Sequence, residues 1–78
     1  MEVTTESLQK LLEEAGVRPE VARAINPAEP LLRQGVDSVD FPAFCALVEE
    51  RHSVVLDDEA ALRLRTLDDF ARYLAELA

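Results

Sequence analysis

Few side chains in this chain could act as nucleophile, base or metal ligand: among 78 residues there is one cysteine, Cys45, and one histidine, His52. Ser38 and His52 share one helical pattern, so serine–histidine hydrolysis is the first chemistry to weigh. Fourteen residues of helix separate them by about 21 Å, whereas proton transfer needs about 3 Å. A kink does not close that gap, and no second histidine could be folded up to Ser38. Hydrolysis is not expected. His52 reads as a helix-end residue or a packed ring. Metal chemistry fares no better, because Cys45 and His52 lie seven positions apart with no further soft ligand. Asp57-Asp58-Glu59 lacks the alternation and the central glycine of a calcium loop, and reads more simply as a helix N-terminus. Gly16 and Gly35 are the only glycines, too few for a phosphate cradle. Cys45 falls near the edge of an apolar face and is expected to be an inert buried thiol.

What Ser38 can do is accept a group. Serine at a helix start is ordinarily a cap, but a phosphate ester on the same hydroxyl is also well placed. It would lie close to free backbone N–H groups and the positive end of the dipole. Asp37 and Asp40 flank it and can engage the basic site of a modifying enzyme.

The elements that position this serine follow from periodicity. Leu8, Leu11, Leu12 and Ala15 make one apolar stripe on a helix over Thr5–Ala15, capped by Thr4 or Thr5 and stopped by Gly16. A long connector, Gly16–Asp37, holds Pro19, Pro27 and Pro30. Pro19 can open a short turn carrying Val21, Ala24 and Ile25. Ile25, Leu31 and Leu32 are apolar enough to pin the loop to the core, so an ordered loop is expected.

The second helix is predicted from near Ser38 to about His52. Pro42 should force a late start near Asp40 or a distorted first turn. Phe41, Phe44, Cys45, Leu47 and Val48 share its core face. Val39, Pro42, Ala46, Glu49 and Glu50 share the opposite one, where small apolar residues rimmed by carboxylates suggest a contact surface. Val54-Val55-Leu56 reads as a short extended bridge. A brief helix over Asp58–Leu64 should be capped by Asp57 or Asp58 and bury Ala61, Leu62 and Leu64. The last helix, capped by Thr66, carries the stripe Leu67, Phe70, Ala71, Leu74 and Leu77.

These elements make one small all-α domain spanning 1–78, with no internal repeat. A chain this short buries only about 60% of its unfolded surface. Sixteen acids against eight Lys and Arg leave a net charge of −8. From Asp37 to Glu59, seven acids face Arg51 alone, a net −6. That surface repels nucleic acid and anionic lipid and steers the chain toward basic patches on proteins, unless it is simply a solvated face. No apolar run is long enough to span a membrane, and no secretory N-terminus is evident. A lone cysteine, which cannot form an internal disulfide, fits a reducing cytoplasm, and a monomer is expected.

At this point the chain resembles the acyl carrier proteins. Their signature is a glycine, one residue, Asp-Ser-Leu and commonly a further acid at the opening of the second of four helices. Here it stands as Gly35-Val36-Asp37-Ser38-Val39-Asp40. Ile25-Asn26-Pro27 before it and Thr66-Leu67-Asp68-Asp69-Phe70 after it sit at similar spacings, so the resemblance covers essentially the whole chain. It implies a four-helix bundle with a long helix 1–2 loop and a short third helix. It implies 4′-phosphopantetheine, placed on Ser38 from coenzyme A by a phosphopantetheinyl transferase and carrying an acyl group as a thioester. It also implies no catalysis by the domain itself. The partners implied are that transferase, a loading ligase or acyltransferase, and synthase enzymes whose basic patches meet the second helix. Val39, Arg33-Gln34, Pro42, Ala43 and His52 depart from the usual pattern and suggest a specialised fatty-acid or polyketide-type pathway. Two alternatives stand beside this: an aminoacyl or peptidyl carrier, against which Asp37 and Asp40 count, and an unmodified helical interaction module whose Ser38 is only a cap.

Overall fold

The computed structural model describes residues 3–77. In chain order it holds α1 (Thr5–Ala15), α2 (Pro19–Arg23), a 3₁₀ turn (Leu31–Arg33), α3 (Asp40–His52), α4 (Asp58–Arg63) and α5 (Leu67–Leu77). Four of these are the expected helices, with α4 the short one. The fifth, α2, is the turn opened by Pro19, which sits at its first position, where a missing N–H costs nothing. The all-α expectation holds for the described residues.

Local chemistry sets the ends. Thr4 accepts from Ser7 N–H while the Ser7 hydroxyl lies 3.2 Å from Thr4 N, a reciprocal cap for α1. Gly16 ends that helix at φ 117°, a conformation that penalises any Cβ, and Val17 N–H returns to the Leu12 carbonyl at 3.0 Å. Thr66 and Asp69 exchange bonds in the same way at the start of α5. Burial pushes the Asp69 carboxyl upward. Hydrogen bonds from the Arg65 and Thr66 N–H groups and from Thr66, with the charge of Arg72, outweigh it and leave the carboxyl below its ordinary range. Asp57, and not Asp58, caps α4 by accepting from Ala60 N–H at 2.8 Å.

The core lies where α1 packs on α3 and α5. Leu8, Leu12, Phe44, Val48, Leu67 and Phe70 are wholly inaccessible. The Phe70 ring meets Phe44 edge-on at 4.9 Å between centroids and Phe41 at 6.2 Å. Phe41, Cys45 and Leu47 are partly buried against this cluster, as their arc predicts.

Three apolar residues expected inside are outside, and so is Ala24 of the turn opened by Pro19. Leu32 and Leu62 are 59% and 75% exposed, Leu77 is 53% exposed, and Ala24 is exposed. In the turn after Pro19 it is Ala22, not Ala24, that is buried. Leu32 and Leu62 sit on segments of three and six residues, too short to bury more than one edge. Leu31 and Leu64 take the inward positions.

The long connector is ordered by hydrogen bonds that apolar patterning does not reveal. Leu31 N–H donates to the Arg65 carbonyl at 2.9 Å, and Asp68 N–H to the Pro27 carbonyl at 3.0 Å. Gln34 closes the loop on itself. Its Oε1 accepts from Asn26 N–H at 2.7 Å, and its Nε2 donates to the carbonyls of Asn26 and Glu29, both at 3.0 Å. Gln34→Leu is therefore expected to cost about 2–3 kcal/mol, since it removes three bonds that contribute about 1 kcal/mol net each. Urea unfolding reads the loss, and faster amide exchange at Asn26 should accompany it. Unaltered protection at Asn26 would show that the loop does not depend on Gln34.

Candidate functional site

The segment Gly35–Asp40 turns from the core to the surface. Gly35 takes φ 93°, which turns the chain, and a Cβ there would stand 3.2 Å from Val21. Val36 is buried at 1% exposure and anchors the segment in the core, although periodicity gave no hint of it. Asp37, Ser38 and Val39 are then exposed in succession. Ser38 stands at the outward point of this turn, immediately before α3.

The helix starts late. Asp40 is its first residue, so Pro42 falls in the first turn, where its ring and missing N–H are tolerated. The cap is not Ser38. The Asp37 carboxylate accepts from Val39 N–H at 2.9 Å and from Asp40 N–H at 2.7 Å, both through Oδ1, while its carbonyl accepts from Phe41 N–H at 3.0 Å. A carboxylate one residue upstream reaches these donors in a tight turn and outcompetes the shorter serine hydroxyl. This corrects two expectations. Ser38 does not cap α3, and the N–H groups of Val39, Asp40 and Phe41 are already satisfied and cannot cradle a phosphate.

Asp37→Ala should therefore expose the Val39 and Asp40 amides and cost about 1 kcal/mol, the usual worth of a cap. Asp37→Asn, which retains the accepting oxygen, should preserve their slow exchange. Equal exchange in the two variants would remove Asp37 as the cap.

The other singled-out residues separate into distinct roles. Asp40 is half-buried at the positive end of α3, with its Oδ1 3.2 Å from where a Cβ on Gly16 would stand. Val39, Pro42, Ala46 and Glu50 are exposed, with Val39 at 77%. Glu49 is different. It is half-buried, and its Oε2 accepts from Leu56 N–H at 2.7 Å, tying the α3–α4 connector down. It is a structural acid as well as a member of that face. Cys45 is half-buried, and its thiol is pushed up to about 11, by burial first and then by the charge of Glu49. A thiol so shifted stays protonated at neutral pH. His52 is half-buried at the end of α3, beside Val54, Leu74 and Leu77.

Among the described residues, no group of three or more His, Cys, Asp and Glu lies close enough to hold a metal. No helix there is long and apolar enough to cross a membrane. The site thus consists of one exposed hydroxyl on a fixed turn, with a polar cleft of about 470 Å³ on one side between Gly16, Arg18, Val21, Gly35, Asp37 and Asp40. A covalent ester needs an accessible hydroxyl free of internal bonds, and among the described residues Ser38 is exposed and its hydroxyl bonds to none.

The family model described as a phosphopantetheine attachment site matches residues 7–74, which begins inside α1, ends inside α5 and covers everything between. No curated protein matches the chain. With the bundle, the exposed serine and this match together, the chain belongs to the phosphopantetheine attachment-site family of carrier proteins, whose domain holds a covalent 4′-phosphopantetheine.

Proposed function

We propose that the arm is attached to Ser38 and that the chain serves as a freestanding acyl carrier in a specialised fatty-acid or polyketide-type pathway. The observation that carries this is the turn itself. Val36 anchors it, Asp37 caps it, and the hydroxyl left between buried anchor and helix is exposed and makes no hydrogen bond among the described residues. When bound, the arm supplies a flexible thiol that holds cargo as a thioester. The protein's own residues present the serine and leave the chain acidic overall. Carrier domains of this family are generally non-catalytic, and their work implies a phosphopantetheinyl transferase and further partner enzymes. Incubation with a broad-specificity transferase and coenzyme A should add one phosphopantetheine unit to the intact mass. An unchanged mass would leave only the unmodified interaction module.

Partner enzymes dock, in this reading, on the face of Val39, Pro42, Ala46, Glu49 and Glu50. Small exposed apolar groups there sit among carboxylates, which suits a basic patch with an apolar centre. Because Glu49 also holds Leu56, Glu50 is the cleaner probe. Glu50→Lys should slow modification by the transferase several-fold at low salt and less at high salt, where screening weakens the charge. The fold should be untouched, since the side chain is exposed and forms no ion pair among the described residues. Rates equal to wild type at low salt would take Glu50 out of the docking face.

A further inference from the structure

The two largest misplacements relative to sequence expectation, Leu32 and Leu62, fall on the same feature. They line one groove of about 410 Å³, together with Arg33, Phe41, Leu64 and Arg65. Its walls are the 3₁₀ turn and the end of α4, joined by the bond from Leu31 N–H to the Arg65 carbonyl. Its volume is at the small end of the range for ligand pockets. The interior route for an apolar chain is filled here, because Phe44, Phe70, Leu31 and Val36 are packed to 1% exposure or less. An apolar group on this protein therefore finds surface cover, not a hollow core.

The charge of the groove inverts that of the chain. Acids outnumber Lys and Arg sixteen to eight overall, yet two arginines and no carboxylate line it. Neither Arg33 nor Arg65 forms an ion pair among the described residues, whereas Arg23, Arg51 and Arg63 do. A guanidinium presents a planar fork matched to a carboxylate. Apolar walls with two such forks at the rim suit a short aliphatic chain ending in an anion. They disfavour an ammonium.

Phe41 also places the groove within reach of the attachment point. It lies three residues beyond Ser38, less than one helical turn, so a long arm can double back into it. A tethered group reaches effective concentrations of about millimolar, at which a weak surface site fills.

The geometry points to a cargo subsite: the groove seats a short acyl group with a terminal carboxylate, carried on the arm, its methylenes on Leu32, Leu62 and Phe41 and its carboxylate on Arg33 and Arg65. This rests on attachment at Ser38 and narrows the substrate to dicarboxylic monothioesters over neutral acyl and aminoacyl groups.

The test loads the full chain with glutaryl, pentanoyl or no acyl group, using the matching coenzyme A thioesters and a broad-specificity transferase. Loading is checked by intact mass, and the Leu32 and Leu62 methyl and Arg33 and Arg65 Nε signals are followed by NMR. Glutaryl should shift all four residues relative to the unacylated arm, and pentanoyl should shift them clearly less. The glutaryl shifts should vanish in R33A/R65A and shrink at about 0.5 M salt, where screening acts over only a few ångströms. Both arginines are exposed, so the double variant is expected to fold, and its core methyl spectrum verifies this. A loaded chain whose groove signals do not move, or move equally with pentanoyl, overturns the subsite and leaves Ser38 intact. Failure to load at all overturns Ser38, and the subsite with it.

Discussion

Ser38→Ala should abolish phosphopantetheine transfer completely while leaving stability within about 0.5 kcal/mol of wild type. Loss of function is total because no other hydroxyl stands on this turn: the segment Gly35–Asp40 has one serine and no threonine or tyrosine. The fold is spared because the Ser38 side chain is exposed and caps nothing. Exposed positions without such a role usually tolerate substitution at that level. The Val39 and Asp40 amides remain held by Asp37, so the first turn of α3 should form as before. Intact mass and urea unfolding read the two halves of the prediction. A residual mass gain in the variant would move attachment elsewhere, and a large drop in stability would return Ser38 to a structural role.

Phe70→Ala should have the largest effect on folding. Phe70 is fully buried between Phe44 and Phe41, and truncating a buried phenylalanine costs about 3–5 kcal/mol, from lost transfer energy and the cavity left behind. At about 0.05–0.15 kcal/mol per residue, a 78-residue chain has about 4–12 kcal/mol in total. A loss of that size removes a large share of the total. α5 should be released from α3, and the urea midpoint should fall sharply, with some unfolded chain even without denaturant. A loss below about 1 kcal/mol would mean that the aromatic cluster is not the centre of the core. Phe70→Leu, which refills most of the volume, should recover a good part of the loss.

Much of this architecture was legible because its signals are local. Thr66 and Asp69, three residues apart before an apolar stripe, mark the start of α5, and the structure keeps them bonded to each other. Pro42 foretold the late start of α3 for a reason of pure sterics. Periodicity also separated Phe44 and Val48 from Pro42, Ala46 and Glu50 on the two sides of that helix. What periodicity cannot report is which face has a neighbour. Leu32, Leu62 and Leu77 are apolar and correctly spaced, but the described residues leave them exposed.

The site was legible in kind and misread in detail. Ser38 was identified from its neighbours, yet the cap that a serine ordinarily makes at a helix start belongs to Asp37. The competition between a hydroxyl and a carboxylate one residue earlier is decided by turn geometry, which residue type alone does not specify. Val36 and Gln34 were missed for another reason. Val36 is a single apolar residue with no periodic partner, and the bonds of Gln34 reach Asn26, eight positions away. A glutamine before the glycine is a departure from the usual pattern of such carriers, and its hydrogen bonds account for its presence.

The central claim is that one hydroxyl, Ser38, takes the arm. Trypsin cuts after Arg33 and Arg51 and releases the peptide Gln34–Arg51, in which Ser38 is the only residue with a hydroxyl side chain. After modification by a transferase with coenzyme A, fragmentation of that peptide should place the whole added mass on Ser38 and leave it there after thiol reduction. Reduction matters because it would strip an arm held only as a disulfide on Cys45. Added mass on any other peptide, or its loss on reduction, would contradict the assignment.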